Sequence, residues 1–166
     1  MDKEIENKIL ELFYEYPEKE FTIREIAKLT KVPRATTHKY IFELKKEGII
    51  TKDNKANLSL FFKIKKTNYF IEKIAESELI EYLVDKLNPS AIILFGSIRK
   101  GESVKESDID LFIESQLDNK IDVSGFEKKL KHKIQFFIEP NINKLQDNLF
   151  NNVINGIKIY GNIKIK

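Results

Sequence analysis

Two short motifs in the middle of the chain hold the residue types on which phosphate and metal chemistry depends. The first, Gly96-Ser97, closes the apolar run Ala91-Ile92-Ile93-Leu94-Phe95, and the second, Asp108-Ile109-Asp110, opens the run Ile109 to Ile113. A glycine at the end of a buried strand lets a ligand approach the backbone closely. A serine at the opening of a helix adds a hydroxyl to free N–H groups that can hold phosphate oxygens. Two aspartates separated by one residue on a strand point to the same face, while Ile109 and Leu111 point into the core. Both carboxylates then reach one Mg²⁺, a hard cation that prefers oxygen ligands, substrate phosphates among them. Gly-Ser alone occurs in many loops, and Asp-x-Asp alone is more often a solvated strand end. In this order, with a strand before and a strand after, they form a specific combination.

Several elements must position those residues. The unbroken apolar run 91–95 predicts a central strand covered on both faces. Further strands are expected at Ile109 to Ile113, Lys133 to Ile138 and Ile157 to Tyr160, with helical stretches near 122–131 and 142–152. One connecting helix over residues 69–87, broken by Asn88-Pro89, opens this region, so residues 67–166 read as a small α/β domain.

The arrangement resembles the DNA polymerase β-like nucleotidyltransferase superfamily, and at this size the minimal nucleotidyltransferases, over roughly residues 78–162. The closing Asn155-Gly156-Ile157-Lys158-Ile159-Tyr160-Gly161 looks like that group's terminal strand. The resemblance implies transfer of a nucleoside monophosphate from a nucleoside triphosphate, ATP above all, to a hydroxyl. Metal ions neutralise the transferring phosphoryl group, and the protein chiefly positions the reactants. Carried onto this chain, Gly96 and Ser97 would hold the triphosphate, Asp108 and Asp110 would hold Mg²⁺ as the catalytic carboxylates, and Arg99 and Lys100 would add positive charge. The family usually places a third carboxylate on the next core strand, where this chain has Gln135. A neutral amide cannot act as a base and is a poorer ligand for a second metal. Glu139 shares its strand face but stands four residues on, about 13 Å away at ~3.3 Å per residue.

The first third of the chain reads differently. Ile5, Ile9, Leu12 and Phe13 recur at helical spacing, so residues 3–16 form an amphipathic helix that Pro17 ends. Thr22 and Glu25 make a capping box for a short helix through Leu29. After Pro33 a third helix buries Tyr40, Ile41 and Leu44 and stops near Gly48. Ile49 to Lys52, a turn at 53–57 and Leu58 to Ile64 read as strand, turn and strand. Three helices followed by a hairpin is the order of the winged helix-turn-helix superfamily, which residues 21–66 resemble. The fold class expected is therefore two-domain α+β, with a winged helix-turn-helix over 1–66 followed by a nucleotidyltransferase-like mixed sheet with helices. The resemblance implies a third helix in the major groove, with Arg34, Thr36, His38 and Lys39 on its exposed face, and phosphate contacts from Lys52 and Lys55 on the wing.

Charge supports that division. The net charge is only +3, yet residues 31–66 hold ten Lys or Arg against three Asp or Glu, whereas 69–166 hold fourteen against fifteen. A basic segment beside a near-neutral domain is what phosphate-backbone binding produces. There is no cysteine and only two histidines, which excludes disulfides and leaves too few ligands for a structural zinc site. The acidic N-terminus and the lack of a long apolar run point to a cytoplasmic protein without a membrane span. His132, between two lysines, reads as a solvated helix end, and Phe61, Phe62, Phe136 and Phe137 read as core.

Three functions remain open. The first is a DNA-binding regulator, paired as a homodimer on double-stranded DNA, whose second domain binds Mg²⁺ and nucleotide but transfers slowly or not at all. The second is an active Mg²⁺-dependent enzyme that adenylylates a hydroxyl of a toxin-like partner protein or of a small molecule in the manner of an antitoxin, with the winged helix controlling its own operon. In the third, the wing serves protein contacts alone.

Overall fold

The computed structural model describes residues 2–166. By contacts it divides into two compact units, one running through Lys65 with Ser103–Lys105, the other made of Lys66–Glu102 and Glu106–Lys166.

In the first unit, α1 spans Lys3–Glu15, α2 Ile23–Thr30 and α3 Arg34–Lys46. The side chain of Asp2 caps α1 by accepting from Glu4 N at 2.9 Å. The expected capping box is present on α2: Thr22 Oγ1 accepts from Glu25 N at 3.2 Å, and Glu25 Oε2 accepts from Thr22 N at 2.8 Å. That backbone N–H is the main reason the Glu25 carboxyl sits below its usual range. Along α3, Thr37, Tyr40, Ile41 and Leu44 are buried at helical spacing. They pack in a core with Ile9, Phe13, Phe21 and Ile26.

The wing is smaller than the sequence suggests. After Gly48, at φ 72°, one bridge joins Ile50 to Ala56 across the turn Thr51 to Lys55. Phe21, before α2, is tied to this turn through its N–H to Asn54 O at 3.1 Å and its carbonyl, which accepts from Asn54 Nδ2 at 2.8 Å. The second strand expected over Leu58 to Ile64 does not form. Instead α4 begins at Leu60 and runs to Glu76, with Ser59 Oγ accepting from Phe62 N at 3.2 Å. The alternation in Leu58-Ser59-Leu60 is compatible with a strand. However, the serine cap and buried Phe62, Tyr69, Phe70 and Ile74 at helical spacing favour the helix. Phe61, expected in the core, is consequently 52% exposed. The single connecting helix over 69–87 is likewise two helices, because Glu78 takes a left-handed conformation and α5 covers only Leu79–Leu87.

The second unit is built on one mixed sheet. Its strands are β1 (Ala91–Phe95), β2 (Ile109–Glu114), β3 (Ile134–Glu139) and β4 (Ile157–Gly161), in the order β3-β2-β1-β4. Strand β1 pairs antiparallel with β2 and β4, and β2 pairs parallel with β3. All five residues of β1 are buried, as its apolar run requires. The short helix α6 (Gly96–Lys100) follows β1 directly, α7 (Ser124–Leu130) precedes β3, and α8 (Asp147–Ile154) precedes β4. Ile93, Phe95 and Phe112 pack on one face of the sheet with Phe137, and that face is closed by Ile142, Leu149, Phe150 and Val153. The candidate acidic residues stand at one end of this face.

Candidate functional site

Asp110 is the cross-strand partner of Phe95, the last residue of β1, so its side chain meets the chain where β1 turns into α6. Gly96 makes that approach feasible. Its φ is +74°, and a Cβ built there would lie 2.0 Å from Asp110 Oδ2 and 2.9 Å from Cγ. No other residue type fits without moving the carboxylate, and a side chain would in addition be strained at this φ. The first motif and the second are thereby locked together: the glycine exists so that the aspartate can lie over the strand end. Ser97 follows on the first turn of α6, with Arg99 half-buried and Lys100 exposed at its close. Thr67 Oγ1 donates to Ile98 O and Arg99 O, both at 3.2 Å, and holds α6 in place.

Burial, and secondarily the neighbouring Asp108, push the Asp110 carboxyl above its usual range. The structure thus spends stability to keep two carboxylates close in a partly desolvated spot, a cost that a bound cation would relieve. Asp108 lies just ahead of β2, and both its neighbours are fastened to the segment before β3. His132 Nδ1 donates to Ser107 O at 2.6 Å, and Ile109 N donates to Lys133 O at 2.8 Å. His132 is only 4% exposed and stands edge-on to Phe70, with ring centroids 5.3 Å apart. It is therefore not the solvated helix end expected from its lysine neighbours. Lys131 leaves α7 in a left-handed conformation. The imidazole turns inward to anchor the Asp108 loop, a role that local sequence could not signal because Ser107 is 25 residues away.

The residue paired with Asp110 on β3 is Gln135, and it is exposed at the same end of the sheet. Glu139 is registered with Glu114 at the far end of these strands. Glu114 is buried and committed to structure, accepting from Ser90 Oγ at 2.6 Å and Ile142 N at 2.8 Å. Among the described residues no group of three or more His, Cys, Asp or Glu side chains is placed to hold a metal. The donor set at the sheet end is two carboxylates and an amide. This suits one hard divalent cation whose remaining ligands come from phosphate and water, and does not suit a pair of cations held by protein alone.

In the first unit, α3 exposes Arg34, His38 and Lys39, whereas Thr36 is half-buried at the flank. Arg34 borders two shallow concavities. One, of about 630 Å³, includes Thr22, Arg24 and Asn54, and the other, of about 470 Å³, includes Ile23, Ala35 and His38. Of the wing lysines, Lys52 is exposed, while its carbonyl accepts from Lys45 Nζ at 2.7 Å. Lys55 is engaged elsewhere, its ammonium 2.8 Å from Glu18. No helix among the described residues is long and apolar enough to cross a membrane.

A nucleotidyltransferase domain model matches residues 76–157, and an IclR helix-turn-helix domain model matches residues 8–54. No curated protein and no solved structure gives a significant match. Nucleotidyltransferase domains generally use a divalent metal.

Proposed function

For a chain that joins an IclR-type helix-turn-helix domain to a nucleotidyltransferase domain, we propose a transcription-regulating role. The first domain binds double-stranded DNA, and the second binds Mg²⁺ with a nucleoside triphosphate, ATP foremost, and transfers nucleotide slowly or not at all. The observation that carries this reading is the pairing of Asp110 with Gln135 across β2 and β3. Asp108 and Asp110 provide two negative charges for one cation, and the N–H groups and hydroxyl at Gly96 and Ser97 face the phosphates, with Arg99 and Lys100 adding positive charge nearby. When bound, the cation supplies neutralisation of the phosphoryl oxygens. Gln135 can orient an acceptor by hydrogen bonding, but it cannot take a proton from it.

The protein acts as a homodimer, since one helix-turn-helix offers a small contact area and such domains commonly pair on two half-sites. Titration of ATP with and without Mg²⁺ tests the second domain. Binding should require Mg²⁺ and should vanish in Asp108→Ala. Metal-independent binding that survives this change would remove the carboxylates from the site. Efficient nucleotide transfer by the unmodified chain would favour instead an enzyme that adenylylates a partner, in the manner of an antitoxin.

A further inference from the structure

Phe42 is 60% exposed, although most large apolar residues of α1 to α3 are buried. Its place on α3 is specific. The buried stripe is Thr37, Tyr40, Ile41 and Leu44. At 100° per residue, Ala35, Lys39, Phe42 and Lys46 fall on the opposite side within roughly 60° of arc. All four are exposed; exposed His38 borders them on one edge and half-buried Glu43 on the other, while exposed Arg34 lies farther round, on the first turn of the helix. The outermost line of the helix is therefore an alanine methyl and a phenyl ring set among cations, with no carboxylate on that line.

Such a face fits a polyanion that also presents apolar groups at a fixed depth. Duplex DNA does so in the major groove, where phosphates border each side and thymine alone displays a methyl among the base edges. We propose that Phe42, with Ala35, reads thymine methyl groups, and that the operator carries thymines at the positions under these two side chains. The inference rests on the DNA-binding role of the first domain and adds base preference to it. Arg34 and Lys39 supply donors suited to guanine O6 and N7 or to phosphate. The line itself carries no carboxylate; Glu43, half-buried at its edge, is the acid on this helix nearest to it. The central line matches thymine through its apolar groups and guanine through Lys39.

The test selects binding duplexes from a randomised pool with the full chain, then replaces single thymines by uracil, which deletes only the 5-methyl group. Thymine should be enriched at fixed positions. Its replacement should weaken binding about fourfold at each contacted methyl, the effect of leaving one such carbon exposed. In Phe42→Ala, the replacement beneath residue 42 should cost nothing further, whereas Phe42→Leu should retain the discrimination. Equal uracil penalties in the unmodified chain and in Phe42→Ala would overturn the proposal. So would selected sites without fixed thymines, or an effect of Phe42→Ala confined to the oligomeric state. If the chain holds no duplex from the pool even at low salt, the DNA-binding reading fails as well. If duplexes are held but thymine and uracil are equivalent, only the role of Phe42 falls.

Discussion

The helix-turn-helix unit and the nucleotidyltransferase unit display their candidate functional groups in opposite ways. In the first, most of the groups stand on the outside of one helix, where burial of Tyr40, Ile41 and Leu44 decides which side faces out, and Lys52 adds a contact from the turn that follows. Each exposed residue there acts nearly alone, so its replacement subtracts one contact. In the second, Gly96, Asp108, Asp110, Gln135 and His132 come from a strand end, a loop, two neighbouring strands and a helix terminus. They meet only because β1, β2 and β3 hold one register. A helical face tolerates change residue by residue, whereas a site assembled across strands fails as a unit.

The sharpest test of that contrast is Gly96→Ala. The added methyl would meet Asp110 Oδ2 at 2.0 Å. Titration should show Mg²⁺-dependent nucleotide affinity falling about a hundredfold, or ~2.7 kcal/mol. DNA affinity, measured on the same preparation, should stay within about twofold. A parallel loss of DNA binding would show that the two units do not fail separately.

Next in size is His132→Ala, which leaves the Ser107 carbonyl without its buried donor. Thermal or denaturant unfolding should show a loss of about 1–3 kcal/mol. Mg²⁺-dependent affinity should drop about tenfold, because the Asp108 loop loses its anchor. Loss of stability with unchanged metal affinity would reduce His132 to a packing residue.

In the first unit the expected effects are smaller and graded. Lys52→Ala should reduce the slope of log K against log salt by about 0.9, as removal of one phosphate contact requires. Lys55→Ala should change it less, since Glu18 already holds that ammonium at 2.8 Å. Equal changes would mean that the Glu18 pair opens on DNA.

The smallest effect concerns the entry to β3. Glu127 accepts from Ile134 N at 3.0 Å and from Lys133 Nζ at 2.9 Å. The backbone bond first, and the lysine second, hold its carboxyl below the ordinary value of 4.5. A depressed folded value means that the stabilisation is present above the unfolded value and is lost as pH falls through the folded one. Unfolding curves of Glu127→Gln should therefore show a shallower acid dependence below about pH 4.5 than the unmodified chain. Identical acid limbs would show that the clamp contributes nothing measurable.

How far these arrangements were legible in sequence follows the same contrast. Capping by Thr22 and Glu25, the stripe of α3 and the apolar run of β1 are local patterns, and each forms where its spacing predicts. The wing departs from the expected hairpin because Leu58 to Ile64 suits a strand as well as a helix. What decides between them is Ser59 as a cap and the continuation to Ile74, beyond the window that looked like a hairpin. The opposition of Gln135 to Asp110 was legible because two well-marked strands leave little freedom of register. The inward turn of His132 was not, since it depends on Ser107 and Phe70, both distant in sequence.

Incorporation of label from an α-labelled nucleoside triphosphate into protein or a small acceptor, with Mg²⁺, measures the central claim most directly. The unmodified chain should transfer orders of magnitude more slowly than Gln135→Asp, each tenfold gain corresponding to ~1.4 kcal/mol of transition-state stabilisation. Asp108→Ala should abolish transfer in both backgrounds. Robust transfer by the unmodified chain, unchanged by Gln135→Asp, would show that another residue supplies the missing carboxylate and would contradict the account.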